Sequence, residues 1–174
     1  MMRRMIVLIL AVLTLAGCAF TGNQGTEPVT FYYLRTASDN AVYSEYFSEG
    51  VIGAEKRDMA GHLDDLSYLL TVYFRGPLDS ELLFPFPMGC RILEIQQSDD
   101  QLTLLLNPIL AEKSELDITL ACACLAMTCL ELTDVDSVQI ESRNLEEDIL
   151  FSRTFTGDNL FLNDVYTKPS ETTQ

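Results

Sequence analysis

Apolar and polar positions divide this chain into elements before any other property is considered. Val29–Arg35 (VTFYYLR) concentrates β-branched and aromatic residues and predicts a strand. Ala37–Gly50 reads as a polar, tyrosine-dotted connection, and Val51–Lys56 as a short edge strand. From Asp58 to Phe74 the apolar residues Met59, Leu63, Leu66, Leu70, Tyr73 and Phe74 recur mostly every three or four positions. That spacing predicts a helix, capped by Asp58 and stopped by the adjacent breakers Gly76 and Pro77. Leu78–Gly89, with Pro85 and Pro87 inside it, is a loop. Ile92–Gln97 and Leu102–Leu106 then flank the turn Ser98-Asp99-Asp100-Gln101 as a hairpin. Leu93 and Ile95 share one face of its first strand, and Leu102, Leu104 and Leu106 one face of its second.

The second half continues in the same mixed manner. Ser114–Thr133 reads as a second helix, with Ser114 and Asp117 approximating a capping box. Its expected inner stripe is Leu116, Leu120, Ala123, Met127 and Leu130, widened by Ala121, Cys124 and Thr128. Ser137–Ser142 alternates and is the next strand, with Val138 and Ile140 facing inward; Leu150–Phe155 adds a further one. Strand, helix, hairpin, helix, strand is an α+β order. A small, mostly antiparallel sheet with two helices packed on one face would cover every apolar stripe.

The first residues have a different logic. Met1-Met2-Arg3-Arg4 precedes an apolar run from Met5 to Ala16, a basic head and short apolar core of the secretory kind. The run is shorter than the roughly 20 residues a membrane span needs. It ends in Leu15-Ala16-Gly17-Cys18, which resembles the bacterial lipobox. That resemblance implies a diacylglyceryl group on the Cys18 thiol and cleavage before it. The expected organisation is a signal peptide over 1–17, a flexible tether over 18–28, one folded domain over 29–166 and a disordered tail over 167–174. The expected location is the extracytoplasmic face of the cell membrane, with the protein held there by its lipid.

Charge narrows the function classes. The chain carries 11 basic and 26 acidic residues, a formal charge of −15. Removing residues 1–17 takes away Arg3 and Arg4, leaving 9 against 26, or −17. Such a surface repels nucleic acid and anionic headgroups and favours solubility or a cationic partner. Apart from Cys18, the cysteines are Cys90, Cys122, Cys124 and Cys129. The last three fall within one predicted helix, where spacings of two, five and seven do not suit a bridge. Buried thiols are the expectation, with a bond from Cys90 to that helix or a metal site as the alternatives.

A search for chemistry gives weak candidates. His62 beside Asp64-Asp65 is the best polar cluster, and the early part of an exposed helix explains it. Ser44, Ser48 and Ser67 sit in no nucleophile elbow, and His62 is the chain's one histidine. Asp99-Asp100 reads as a turn, with a calcium pair as the alternative. Glu146-Glu147-Asp148 reads as a solvated loop, with a metal site as the alternative. Tyr32, Tyr33, Tyr43, Tyr46 and Phe47 either cover a sheet edge or line a ligand groove. The expectation is no catalytic residue, no metal and no cofactor.

Leu66–Arg143 nonetheless carries a recognisable pattern. Tyr73-Phe74-Arg75-Gly76-Pro77 is a helix end followed by Gly-Pro. Phe86-Pro87-Met88-Gly89-Cys90-Arg91-Ile92-Leu93 leads into the hairpin, and Leu102–Asn107 is the strand before the second helix. Leu125–Leu132, followed by Val135–Ile140, forms a helix end and last strand. In this order and spacing the motifs resemble the GerMN domain family of sporulation and germination proteins, here in a single copy over about Phe31 to Phe155. Thr133-Asp134 stands where that family usually has Pro-Gly. The resemblance implies a ring-building-motif-like fold without catalytic residues. It also implies a role in assembly with other envelope or spore-assembly proteins during sporulation or germination. A small-ligand-binding lipoprotein and a cell-wall hydrolase are the alternatives.

Overall fold

The computed structural model describes residues 28–36 and 50–160. The order of elements is β1 (Pro28–Arg35), β2 (Ile52–Asp58), α1 (Leu66–Tyr73), β3 (Leu82–Leu83), β4 (Ile92–Gln97), β5 (Gln101–Leu106), α2 (Glu115–Leu132), β6 (Ser137–Arg143) and β7 (Ile149–Thr156). Single-turn 3₁₀ segments lie before α2 and after β7. The α+β class and its mostly antiparallel pairing are as the pattern predicts. The strands divide between two sheets, ordered β2-β1-β3 and β4-β5-β6-β7. Periodicity assigns a residue to a face but says nothing about which strands share a sheet.

The second sheet contains the one parallel pair of the described residues, β5 with β6, and α2 is the crossover between them. Register places Leu102 against Val138 and Leu104 against Ile140. All four are fully buried, together with Leu106. The expected inward faces of β5 and β6 are therefore observed. The face of β4 is not. A bulge between Ile92 and Glu94 resets the alternation, so Leu93 is half exposed while Ile92 and Ile95 pack on the core.

The helix α2 is flanked by β1 on one side and by β6 and β7 on the other. Burial therefore extends around it, from Ile118 through Ala121–Ala126 to Thr128 and Cys129. This corrects the expected stripe: Leu116 is 67% exposed, and Leu120, Met127 and Leu130 are only half-buried. A helix covered from two sides needs small residues so that both neighbours can approach. Its alanines and cysteines supply them, and a one-sided stripe was the wrong pattern to seek. The N-terminal cap is as expected, since the Ser114 hydroxyl accepts from Asp117 N–H at 3.2 Å.

Thr128 has a second task. The Tyr32 N–H donates to Thr128 Oγ1 at 3.0 Å, and that hydroxyl donates onward to the Cys124 carbonyl at 2.9 Å. A helical side chain thereby satisfies a backbone donor of β1 that the ladder with β2 leaves over.

The helix α1 is shorter than its periodicity suggests. Asp58 belongs to β2, opposite Pro28, and its carboxylate accepts from Ala60 N–H in a turn. The cap is Asp65, whose carboxylate accepts from Tyr68 N–H at 2.9 Å. The far end is as predicted: Gly76 takes φ +88°, a left-handed angle that glycine adopts without strain, and its N–H donates to Tyr73 O at 3.0 Å. Gly89, at φ +86°, makes the corresponding turn before β4. Asn107 holds that turn: its side chain accepts from Arg91 N–H at 3.1 Å and donates to the Gly89 carbonyl at 2.9 Å.

Aromatic rings join α1 to β1. Tyr73 stacks on Tyr33 with centroids 4.9 Å apart and 7° between the planes. Phe74, Phe84 and Phe86 complete the cluster edge-on or tilted. The proline-rich loop after α1 thus contributes core, with Phe86 almost fully buried.

Candidate functional site

The best-formed concavity among the described residues lies between α1 and β4, with a volume near 750 Å³. Helical spacing builds one wall: Leu66, Leu70 and Phe74 repeat every four residues on a single face. Ile92, Leu93, Glu94 and Ile95 of β4 form the other. Arg75, just past the helix, and Arg91, just before the strand, add two exposed guanidinium groups. Cys90 lies beside Arg91, and burial pushes its thiol up to about 11, so it stays protonated and unreactive at neutral pH.

Only Ser67 of the sequence-predicted site residues lines this groove. His62 lies in the turn before α1, not within the helix. Its ring stacks on Tyr68 at 3.9 Å, and its carbonyl accepts from Asp65 N–H. Asp65 is engaged as the helix cap, and Asp64 is an exposed turn residue. Asp99 and Asp100 occupy the hairpin turn, where the Asp100 carbonyl accepts from the N–H groups of Asp136 and Ser137. Glu146, Glu147 and Asp148 form an exposed loop held by the Asn144 side chain. Among the described residues no three His, Cys, Asp or Glu side chains are grouped to hold a metal ion.

The aromatic set separates. Tyr33 is core, its hydroxyl donating to the Tyr73 carbonyl at 3.2 Å. Tyr32 points to the other face, where with Met127, Leu130 and Leu160 it lines a shallow depression. Burial and the nearby Glu131 charge both raise its phenol. Tyr43, Tyr46, Phe47, Ser44 and Ser48 lie outside the described residues, as does Cys18. Cys90, Cys122, Cys124 and Cys129 are buried and unbridged. Burial pushes the Cys122 and Cys124 thiols up to about 12 and raises Cys129 further.

Sequence reasoning missed a buried ion pair. Glu55 and Arg57 sit two apart on β2 and bond to each other, with side chains 10% and 8% exposed. Arg57 lies 5.2 Å from the Phe31 ring centroid and donates to the Gly76 carbonyl at 2.7 Å. Glu55 accepts from Leu78 and Asp79 N–H at 2.8 and 3.0 Å. Two charges of β2 therefore hold the chain where it leaves α1. Burial by itself would raise the Glu55 carboxyl. Hydrogen bonds from Arg57, Asp79 and Leu78, with the Arg57 charge, more than offset this and hold it below its ordinary value. Alternation of Glu and Arg on an edge strand looks like a solvated face, so the signal was present but ambiguous.

The pattern of a prokaryotic membrane lipoprotein lipid attachment site matches residues 2–19. The chain is thus a lipid-anchored extracytoplasmic protein. Among the described residues no helix is long and apolar enough to cross a membrane. No curated protein matches the chain in sequence. Among solved structures it is similar to the tandem GerMN domains of the sporulation protein GerM from Bacillus subtilis. The TM-score is 0.46 at 20% identity, over 74% of this chain and 45% of that one. The chain thus spans less than half the length of that tandem structure. It is also similar to a Clostridium perfringens structure described as a lipoprotein, with TM-score 0.43 and 16% identity over 75% of this chain and 89% of the other.

Proposed function

We propose that this protein is a contact module of the cell envelope, tethered through a lipid on Cys18, which holds partner proteins during sporulation or germination and catalyses no reaction. The observation that carries this reading is a sheet edge, β4, that among the described residues pairs on one side only and borders a wide groove on a lipid-anchored chain. An unpaired edge beside an apolar wall is a surface made for another polypeptide. The GerMN-like motifs between Leu66 and Ile140 agree with it and supply the spore-related setting. Residues 18–28 serve as the tether and 29–166 as the contact domain.

The test is a deletion strain complemented with variants of the full-length protein and scored for sporulation and germination efficiency. Cys18→Ser should leave the protein out of the mature membrane-anchored fraction and abolish complementation. His62→Ala should complement fully. A deletion without a spore phenotype would overturn the role in spore life. Loss of function in a stable His62→Ala protein would replace contact by chemistry.

A further inference from the structure

We infer that the groove between α1 and β4 takes an extended segment of a partner protein, apolar and acidic in alternation, added to the sheet as a strand beside β4; this rests on the contact-module reading above. The strand β4 ends the order β4-β5-β6-β7, and no backbone hydrogen bond reaches its outer edge from another described residue. The groove is lined by Glu94 and Ile95, consecutive residues beyond the bulge whose side chains leave the strand on opposite faces, together with Ile92 and Leu93 before it. A wall showing both faces of a strand is its edge, so backbone donors and acceptors look into the groove. Because the bulge lies between Ile92 and Glu94, the regular edge runs from Glu94 to Gln97. Those residues give a ladder about 13 Å long. Opposite it, the Leu66, Leu70 and Phe74 stripe offers apolar surface to every second side chain of an added strand.

Charge identifies the occupant. The chain carries −15 overall, yet this groove has Arg75 and Arg91 against Glu94 alone. Arg57, Arg143 and Arg153 are in ion pairs with Glu55, Glu141 and Glu115. Arg75 and Arg91 have no ion pair among the described residues. Two guanidinium groups with no ion pair among the described residues, flanking an apolar edge and outnumbering Glu94, select carboxylates on the incoming strand. Two copies of a chain this acidic repel one another outside the groove, which favours a different protein as the source of the strand.

The experiment uses the whole lipid-anchored protein in phosphatidylcholine nanodiscs and fluorescence anisotropy of labelled seven-residue peptides. One peptide alternates valine and glutamate, a second alternates valine and lysine, and a third repeats the first with alternate backbone amides methylated. The valine–glutamate peptide should bind, and each of the other two about tenfold more weakly or not at all. Arg75→Glu with Arg91→Glu, both at exposed positions and checked for fold by circular dichroism, should reverse the preference between glutamate and lysine. Equal binding of the glutamate and lysine peptides, or undiminished binding of the methylated one, overturns the inference. So does sedimentation showing a dimer that the double variant disrupts, because the occupant is then a second copy. If the valine–glutamate peptide fails to bind while photo-crosslinking in cells still captures a partner needed for sporulation, this inference falls and the contact role stands. If the peptides behave as expected and the deletion has no spore phenotype, the contact site stands and the role in spore life falls.

Discussion

Replacing Glu55 tests whether the buried pair on β2 holds the fold together. In Glu55→Gln the side chain keeps its length, and its amide oxygen can still accept from Leu78 and Asp79 N–H, which now reach Glu55 at 2.8 and 3.0 Å. What disappears is the charge opposite Arg57, whose side chain is only 8% exposed. Leaving one member of a buried ion pair uncompensated costs about 3–5 kcal/mol. Arg57 keeps the Gly76 carbonyl and the Phe31 and Tyr33 rings, so the glutamine variant should lose less, about 2–3 kcal/mol. Glu55→Ala, which also strips the two backbone donors of their acceptor, should lose about 3–5 kcal/mol. The pH dependence follows from the lowered carboxyl. The folded state binds the Glu55 proton less readily than the unfolded chain, whose ordinary value is 4.5. The stabilisation is therefore complete above that value and is lost as pH falls through the lower, folded one. Urea unfolding followed by circular dichroism from pH 7 down to 3 would measure it. The difference between wild type and Glu55→Gln should be largest at neutral pH and should shrink in acid, whatever the other carboxylates do. A difference constant with pH, or below about 0.5 kcal/mol, would refute the argument and reduce the pair to a surface contact.

Three further outcomes are expected. Leu125→Ala should cost about 2–5 kcal/mol in the same unfolding assay and Leu116→Ala almost nothing, because on the same helix the first is fully buried and the second 67% exposed; comparable losses would mean that α2 is rotated from its observed phase. Thr128→Val should cost about 1–3 kcal/mol by leaving the Tyr32 N–H without its acceptor, and hydrogen exchange at Tyr32 should accelerate selectively; unchanged exchange there would contradict the contact. At pH 8 the thiols of Cys90, Cys122 and Cys124, pushed by burial up to about 11, 12 and 12, should resist iodoacetamide in the folded protein and react promptly in urea. Mass spectrometry counts the alkylated sites, and rapid labelling of Cys122 or Cys124 without denaturant would overturn the burial.

Local chemistry was legible in the sequence wherever neighbours along the chain decide it. The lipobox, the stop at Gly76-Pro77, the Ser114 cap and the inward faces of β5 and β6 each depend on a few consecutive residues, and each could be read directly. Long-range pairing could not. Nothing local distinguishes one sheet from two, and nothing tells α2 that β1 and the β6–β7 pair approach it from different sides. Ala121, Cys124 and Thr128 therefore read as the margin of a stripe, although they belong to its buried middle. The same limit hid the groove. Its α1 wall follows a four-residue period that the sequence displays, but its other wall is the edge of β4, and a strand becomes an edge only by the absence of a neighbour. Glu55 and Arg57 likewise carry only an ambiguous mark on a polar edge strand, where alternating charges look solvated. Tertiary structure decided their state by bringing the backbone of Gly76–Asp79 over them, since a charged side chain is solvated or buried according to what the rest of the chain places above it.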